Sequence, residues 1–423
     1  MTWRQLAAVD CGAMTAPPPA FTQRFEPRYV EDPYPLYARL REEAPVHFSP
    51  EMHLWVVSRY EDVKTVVMNP ADFLSANAFR NPVPPAPEVL AALAEGYPQV
   101  PALVDDDPPN HTRMRVIVTK ALAPHRLAQA EPRVRAIAEE LVDAFAREGR
   151  ADLVEKLAFP LPARIIGAIL GLPDSDLERL KAWTEDLTVL SAGNAPVPRQ
   201  VECARGLVAV QKYIAGHIAE RRRAPKDDLI SALIEARYED TPPLSDVKLI
   251  SLLSMLHFAG HETTANLLGN LLVMLLEAPE RLRAVREDPA LLPQAIEETL
   301  RRDAPVQGMM RTTRRAVNLG GVEVPEGARL LVLYASANRD PATFHAPDSA
   351  DVRRPDVGRH LGFGMGIHYC IGAPLARLEV RIALEQVLKK LPDLRLAPGR
   401  SITYLPNFLH RGPRTLQVEW DPA

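Results

Sequence analysis

The stretch HLGFGMGIHYCIGAPLARLE, residues 360–379, decides the fold. It places Cys370 between a segment with glycines at 362, 364 and 366 and an amphipathic run over 375–391 that is typical of a helix. Glycine lets a flat ligand lie close to the main chain. A thiolate just before a helix faces unpaired amide hydrogens and the positive end of the helix dipole, which both stabilise negative charge on sulfur. The pattern therefore indicates a soft axial ligand to iron.

Cys370 also has a plainer interpretation as an ordinary buried cysteine, because free cysteines are among the most buried residue types. The residues alone leave both interpretations open. If Cys370 binds a haem iron, His368 two residues earlier would be placed to contact a propionate, and Phe363 would be placed to shield the sulfur from water.

The segment FGMGIHYCIG resembles the haem-binding signature of the cytochrome P450 family at its fixed positions, which here are Phe363, Gly366, His368, Cys370 and Gly372. The resemblance implies a haem b cofactor with Cys370 as the metal ligand. It also implies the family's fold, which is mainly α with a smaller β-rich lobe and has the shape of a triangular helical prism. The likeness continues from about residue 30 to the C-terminus.

Composition excludes several partners. Of the 423 residues, 47% are hydrophobic and 25% are charged, as in an ordinary globular protein. A formal net charge of −4 gives no reason to expect nucleic acid or an anionic membrane as a partner. The three cysteines, Cys11, Cys203 and Cys370, are too few and too scattered for a disulfide framework, so a cytoplasmic location is expected.

The first residues, MTWRQLAAVDCGAMTAPPPA, lack the uninterrupted apolar run of a signal peptide or membrane anchor. Prolines at 17–19 predict an irregular tail over residues 1–29, followed by a single domain over residues 30–423. The resemblance then implies a soluble bacterial type. The chain ends about 50 residues after Cys370 with no fused flavin or iron–sulfur module, so we expect its electrons to come from a separate protein.

A second pattern lies in DDDPPNHTRMRVIVTKAL, residues 105–122, where a helix is predicted after the two prolines. His111 and Arg115 lie four residues apart on one face of it, and two cationic donors on one face suit carboxylates or propionates. Such a pair more often lies on a solvated face. The stretch resembles the family's second haem-contacting helix, which implies propionate binding by both residues. Arg311, at the start of the strands predicted over 310–333, receives the same role from the resemblance.

A long helix is predicted over residues 245–278, with Ser245 and Asp246 at its start and Pro279 at its end. Its sequence is apolar nearly all round, which is typical of a helix that crosses a protein core. Polar residues at 257, 261, 262 and 266 argue against a membrane span.

The segment AGHETT, residues 259–264, places a carboxylate inside that helix, where burial without a partner is costly. One explanation is local: a threonine hydroxyl bonds to the preceding turn, and Glu262 pairs with a distant arginine. The segment also resembles the family's oxygen-activation motif, with glutamate in place of the commoner aspartate. The resemblance implies that Thr263 and Glu262 are catalytic, Thr263 orienting a water next to dioxygen and Glu262 relaying protons. Ala259 and Gly260 then leave room beside the iron.

Glu298 and Arg301 lie three residues apart on a predicted helix, and in isolation such a pair is most often a weak surface ion pair. Arg354 follows about fifty residues later. Together the three resemble the family's Glu–Arg–Arg network below the haem. That network implies a structural role, which is to hold the loop that carries Cys370.

The resemblance also indicates which regions shape the substrate pocket. They are the proline-rich stretch 75–101, expected to be a long loop, and the residues near 187–197. The C-terminal turn, with Asn407, Phe408 and Leu409, matches a pocket-lining turn of the family by its position alone.

The implied activity is that of a haem-thiolate monooxygenase, which activates dioxygen and hydroxylates or otherwise oxidises a small, largely apolar organic substrate. Electrons from NAD(P)H would arrive through a separate ferredoxin and ferredoxin reductase, or a flavodoxin. A group of basic residues is a candidate docking surface for an acidic donor: Arg113, Lys120, Arg126 and Arg359. Two alternatives remain, a peroxygenase that uses hydrogen peroxide and a non-catalytic haem-binding sensor. The Glu262–Thr263 pair counts against both, because neither needs a proton relay.

Overall fold

The computed structural model describes residues 21–76, 78, 84–122, 124–192, 195–239, 241–399 and 401–422. Helices dominate these ranges. Their bounds are α1 (Pro27–Glu31), α2 (Tyr34–Glu43), α3 (Tyr60–Met68), α4 (Pro87–Leu93), α5 (Asn110–Ala121), α6 (Pro124–Asp143), α7 (Pro160–Leu170), α8 (Leu177–Ala192), α9 (Val197–Arg223), α10 (Leu229–Glu235), α11 (Asp246–Leu276), α12 (Pro279–Glu287), α13 (Leu292–Arg302), α14 (Tyr334–Ala337) and α15 (Ala373–Lys390).

The strands form the smaller, β-rich part. Their bounds are β1 (Val46–Ser49), β2 (Leu54–Val57), β3 (Phe73–Leu74), β4 (Arg150–Asp152), β5 (Met309–Thr313), β6 (Val317–Leu319), β7 (Val322–Val324), β8 (Arg329–Val332), β9 (Arg395–Leu396) and β10 (Gln417–Glu419). The main sheet has the order β1-β2-β8-β5-β3, and it is antiparallel except where β2 pairs with β8. The strands β4-β10-β9 form a second sheet, and β6 and β7 form a hairpin. The mainly α fold with a smaller β-rich lobe is confirmed.

Helix α11 is the central element, as its apolar sequence predicts. It begins where the sequence indicates, because the Ser245 hydroxyl accepts a hydrogen bond from the Lys248 amide at 3.3 Å and so caps the helix. Every residue from Thr264 to Leu276 is buried. In the described ranges, no helix combines the length and the apolar character that crossing a membrane requires.

The largest hydrophobic core surrounds the second half of α11. Side chains of α6, α13 and α15 pack there with those of α11, and α7 crosses the same helix nearby. Because α15 starts three residues after Cys370, this packing also fixes the position of the cysteine relative to α11.

Two regions described from the sequence as irregular contain helix within the described residues. The tail expected over 1–29 becomes regular from residue 21: a short turn of helix covers Phe21–Phe25, and α1 follows it. Phe21 is fully buried, so this segment belongs to the core, while residues 1–20 and Cys11 lie outside the described residues. The loop expected over 75–101 contains α4, whose Val89 is buried against α9.

Candidate active site

A cavity of about 240 Å³ is lined by α11 on one side and by the segment around Cys370 on another. Its lining is mostly apolar. Nine residues that the sequence assigns to the site line it together: His111, Arg115, Ala259, Gly260, Thr263, Arg311, Phe363, His368 and Cys370.

The backbone around Cys370 is arranged to support a thiolate. The Cys370 amide donates to the carbonyl oxygen of Phe363 at 2.9 Å, which closes the loop on itself. Burial raises the pKa of the Cys370 thiol, whereas amide hydrogens of Gly372 and Ala373 and the charge of Arg115 act to lower that pKa. A sulfur with amide donors on its helix side and an open cavity on the other is suited to coordinate a metal cation.

Two glycines of this loop are required by close packing. Gly366 has φ +72°, and a Cβ there would lie 2.7 Å from the carbonyl oxygen of Val67 in α3. A Cβ on Gly362 would lie 2.7 Å from the carbonyl oxygen of Leu300 in α13. The loop is therefore held between two helices at distances that only glycine permits.

Four cationic or basic side chains gather at one edge of the cavity. His111 and Arg115 come from α5, Arg311 from β5, and His368 from the cysteine loop, with the His111 and His368 ring centroids 4.2 Å apart. The Nε2 atom of His111 is buried and has no hydrogen-bond partner among the residues that the structure describes. In the described part of the chain, none of the four forms an ion pair with a carboxylate.

This clustering has an electrostatic consequence. Burial lowers the pKa of His111, and the charge of Arg115 lowers it further. Burial and the charges of Arg311, His111 and Arg115 lower the pKa of His368 to about 3. His368 instead pairs through Nε2 with the hydroxyl of Ser75 at 2.8 Å. Among the described residues no carboxylate forms an ion pair with Arg115 or Arg311, so this edge is suited to bind an anion.

The α11 wall presents Ala259 and Thr263. The Thr263 hydroxyl donates to the carbonyl oxygen of Ala259 at 2.8 Å, so its lone pairs remain available toward the cavity. Gly260 also lines the cavity, but a Cβ there would lie 2.9 Å from the Ile166 side chain. Its small size therefore lets α7 approach α11, in addition to leaving room in the cavity.

Glu262 points away from the cavity. It is buried, and its Oε2 accepts a hydrogen bond from the Thr188 hydroxyl of α8 at 2.6 Å. Adjacent residues of a helix diverge by about 100°, so Glu262 and Thr263 cannot both face the same space.

The assignment of Asn407, Phe408 and Leu409 to the pocket is wrong, since none of them lines this cavity. Phe408 and Leu409 pack into a hydrophobic cluster with Phe21, and the Asn407 carboxamide oxygen accepts from the Leu409 amide at 2.8 Å. The guanidinium of Arg24 donates to the Asn407 carbonyl at 3.0 Å. The ordered N-terminal segment thus takes up these side chains, and their neighbour His410 lines the cavity instead.

Comparisons with known proteins agree with this geometry. A family model described as Cytochrome P450 matches residues 201–403. The chain is 40% identical to Cytochrome P450 107B1 of Saccharopolyspora erythraea, covering 88% of this chain and 91% of that protein. It is 38% identical to Cytochrome P450 monooxygenase PikC of Streptomyces venezuelae, covering 97% and 96%. The solved structure of cytochrome P450 CREJ in complex with (4-ethylphenyl) dihydrogen phosphate superposes with a TM-score of 0.89 at 33% identity, covering 92% of this chain and 97% of that chain.

The chain belongs to the cytochrome P450 family. It is a P450 monooxygenase, and the haem b of this family is its cofactor. The cavity residues fit that cofactor on their own evidence. The unpartnered Nε2 of His111 and the un-neutralised charges of Arg115 and Arg311 match an anionic group such as a propionate. The Cys370 sulfur and the apolar walls match an iron macrocycle.

The predicted Glu–Arg–Arg network is present as a set of contacts. The Glu298 carboxylate accepts from Arg301 at 2.7 and 2.8 Å and from Arg354 at 3.1 Å, and all three side chains are buried. Arg301 also donates to the carbonyl oxygen of Asn338, whose side-chain oxygen accepts from the Leu361 amide at 2.6 Å. The network therefore connects to the start of the P450 cysteine loop.

Sequence reasoning gave no site role to three titratable residues that line the P450 cavity, namely Tyr334, Glu379 and His410. Glu379 lies in the continuation of the cysteine motif, and complete burial raises its pKa well above the ordinary value. Its spacing of nine residues from Cys370 was a usable signal. His410 comes from a turn whose position depends on contacts with α11, and no local pattern marks it.

Proposed function

We propose that this P450 oxidises a small organic molecule with an apolar body and a hydrogen-bonding group, using electrons from a separate donor protein. The observation that carries the proposal is that Cys370 and Thr263 line one apolar cavity, with four basic side chains gathered at its edge. Cys370 would hold the haem iron, and Phe363 would cover the sulfur. His111, Arg115, Arg311 and His368 would hold the propionates.

When bound, the haem supplies dioxygen activation: one oxygen atom enters a substrate bond, and the other leaves as water after uptake of two electrons and two protons. The chain's own residues position the substrate, exclude water from the cavity and supply protons. Apolar side chains of α11 exclude bulk water from the cavity, while the lone pairs of Thr263 accept a hydrogen bond there. Glu262, which directly precedes Thr263 in the sequence, would be the carboxyl group that donates protons for the reaction.

A second cavity supports the hydrogen-bonding part of the substrate class. It has a volume of about 170 Å³ and shares Met255 and Phe258 with the first cavity. Its lining includes Ser254 and His257. The Ser254 hydroxyl and the His257 Nδ1 are buried, and within the described ranges neither has a hydrogen-bond partner. An elongated substrate would place its apolar part near Cys370 and its polar group here.

We propose a ferredoxin with its NAD(P)H-dependent reductase, or a flavodoxin, as the electron donor. Lys120 and Arg359 are exposed and so remain candidates for docking an acidic donor. Arg359 donates to the carbonyl oxygen of Thr343, and Arg113 donates to that of Pro242. The side chain of Arg126 lies outside the described residues. If these charges act, the rate of electron transfer falls as salt is added. A cytoplasmic location is consistent with the free thiols of Cys203 and Cys370.

The experiment has two stages. Ligand-induced spectral shifts of the haem protein are screened with (4-ethylphenyl) dihydrogen phosphate, long-chain alcohols and sterols. The compound with the largest shift is then incubated with NADH, a ferredoxin and a ferredoxin reductase, and the oxidised product and hydrogen peroxide are measured.

We expect the wild type to form product and Thr263→Ala to divert electrons into hydrogen peroxide, with Thr263→Ser close to the wild type. Equal product formation by wild type and Thr263→Ala would remove Thr263 from the mechanism. Product formed from hydrogen peroxide alone at the same rate would favour a peroxygenase, and spectral shifts without any turnover would favour a sensor.

A further inference from the structure

His410 lies between the Glu262 carboxyl and the cavity. The His410 side chain lines the cavity, whereas that of Glu262 does not. Nδ1 of His410 is 3.9 Å from Oε1 of Glu262, and each side chain is about 5% exposed. Both atoms are buried, and among the described residues neither has a hydrogen-bond partner. Two such atoms that face one another become hydrogen-bonded with an approach of less than about 1 Å.

The main chain fixes the place of this imidazole. The His410 amide donates to the side-chain oxygen of Asn407 at 3.2 Å, and His410 pairs with Val306 in an antiparallel bridge. The ring packs edge-on against Phe258, with centroids 5.9 Å apart. The imidazole is therefore held at the cavity wall by backbone contacts and ring packing.

One face of α11 is shaped to receive the segment that carries His410. Glu262, Asn266 and Asn270 follow each other at intervals of four residues, which places them on a single helix face. The Asn270 amide group donates to the Arg411 carbonyl at 3.0 Å, and a Cβ on Gly412 would lie 2.0 Å from the Asn266 side-chain oxygen. The turn lies directly on this face, so the approach of His410 to Glu262 is part of the packing.

We propose that His410 carries protons from Glu262 to the reaction cavity. Imidazole can accept a proton at one ring nitrogen while it gives up the proton at the other. The Oε1–H of Glu262 would pass its proton to Nδ1, and the Nε2–H would pass its proton to an oxygen acceptor in the cavity. Glu262 becomes a carboxylate and takes its next proton from solvent, so no electron or further reactant is needed. This path through His410 takes the place of direct proton transfer from Glu262 to Thr263, because the side chains of these two neighbours face different directions.

The contacts of Thr188 leave Oε1 of Glu262 as the oxygen that faces His410. The Thr188 hydroxyl oxygen is 2.9 Å from the Thr184 carbonyl oxygen and 2.6 Å from Oε2 of Glu262. One hydroxyl proton serves only one of these acceptors. When Thr188 donates to Oε2, Oε1 is the oxygen left to carry the proton that passes to Nδ1 of His410.

The first test reads the cavity spectroscopically, with carbon monoxide as the probe of the reduced haem protein. An N–H donor in the cavity lowers the C–O stretching frequency of the bound gas. We expect His410→Phe to move the infrared band to higher wavenumber and to abolish its sensitivity to heavy water. A band unchanged from the wild type in position and in isotope sensitivity would overturn the proposal.

The second test measures NADH-driven dioxygen consumption without any organic substrate, in water and in heavy water, with a ferredoxin and its reductase. We expect Glu262→Gln and His410→Phe each to slow consumption about tenfold, since positioned proton donors contribute at least that much. The double variant should be no slower than the slower single variant, because both act in one route. Multiplied effects in the double variant would contradict a shared route.

Two controls separate a relay from a structural role. His261→Phe removes a buried imidazole of the same helix that bonds to Thr184 and Phe159 and lines neither cavity, so consumption should be unchanged. His410→Gln keeps a polar side chain at this position. The spectrum of the reduced variant with carbon monoxide reports whether the haem cavity is intact. This inference rests on the proposed role of Glu262. If Glu262→Gln has no effect, that role fails; if only His410→Phe has none, the inference alone fails.

Discussion

The two walls of the cavity are built in different ways. The proximal wall, which carries Cys370, is made from residues close together in sequence and is fixed by glycine contacts and by the buried Glu298 network. The distal wall combines Thr263 of α11 with His410. Behind this wall, the Glu262 carboxylate accepts a hydrogen bond from Thr188 of α8. Substitutions in the proximal wall should therefore affect folding and haem retention, and those in the distal wall should affect turnover in a folded protein.

The largest effect is expected from Glu298→Ala. The change leaves the guanidinium groups of Arg301 and Arg354 buried without a counter-charge, which costs about 3–5 kcal/mol in the free energy of unfolding. Haem content per chain should fall with it, because the network connects to the cysteine loop. Urea unfolding and the haem-to-protein absorbance ratio measure both effects. Glu287→Ala, which changes an exposed glutamate of α12, serves as the control, and a similar result for both variants would refute the assigned role.

Gly366→Ala should have the next largest effect. Alanine at φ +72° costs roughly 1–2 kcal/mol, and its Cβ would also clash with the Val67 carbonyl oxygen at 2.7 Å. Gly327 has φ +73°, and a Cβ there would have no other atom within 4 Å, so Gly327→Ala carries the backbone cost alone. Thermal unfolding of the two variants should show the larger loss for Gly366→Ala. Equal losses would mean that close packing against α3 does not constrain the loop.

A smaller, pH-dependent effect is expected at Glu297, which accepts from Arg377 at 2.6 Å and contacts His360 at 2.9 Å. Burial acts to raise the pKa of Glu297, but the hydrogen bonds from Arg377 and His360 outweigh it and hold the pKa at about 2. A lowered carboxyl pKa stabilises the fold above the unfolded-state value of 4.5, and the contribution is lost as pH falls toward 2.

Glu297→Gln should therefore lower the free energy of unfolding by roughly 1–2 kcal/mol at pH 7, and the difference from the wild type should shrink between pH 4.5 and pH 2. Urea titrations at pH 7 and pH 3 measure it. A difference that stays constant across this range would show that the ion pairs do not stabilise the fold.

The smallest effect should come from the distal wall. Thr188→Val keeps the shape of the side chain but removes the hydroxyl that contacts Glu262 at 2.6 Å. Losing this hydrogen bond, which contributes about 1 kcal/mol, should slow NADH-driven dioxygen consumption about fivefold and leave haem content unchanged. Thr65→Val, on an exposed position of α3, should change neither quantity. Loss of haem from Thr188→Val would erase the distinction between the two walls.

The same difference explains what the sequence could predict. The Cys370 loop and the start of α11 at Ser245 follow from short-range spacing, because glycines and helix caps leave local patterns. The Glu298 network was predicted only through the family resemblance, since Arg354 lies 56 residues from Glu298. The position of His410 depends on how a turn near the C-terminus lies on α11. Phe408 packs against Phe21 of the N-terminal segment. The sequence did not predict this contact, because the prolines at 17–19 indicated an irregular tail.

Every role assigned to the cavity depends on the Cys370 sulfur as the iron ligand, and the difference spectrum of the reduced protein with carbon monoxide measures that bond. We expect the strongly red-shifted band of a haem-thiolate protein in the wild type and in Cys203→Ala, and no such band in Cys370→Ala. A wild-type preparation that takes up no haem, or a red-shifted band that persists in Cys370→Ala, would contradict it.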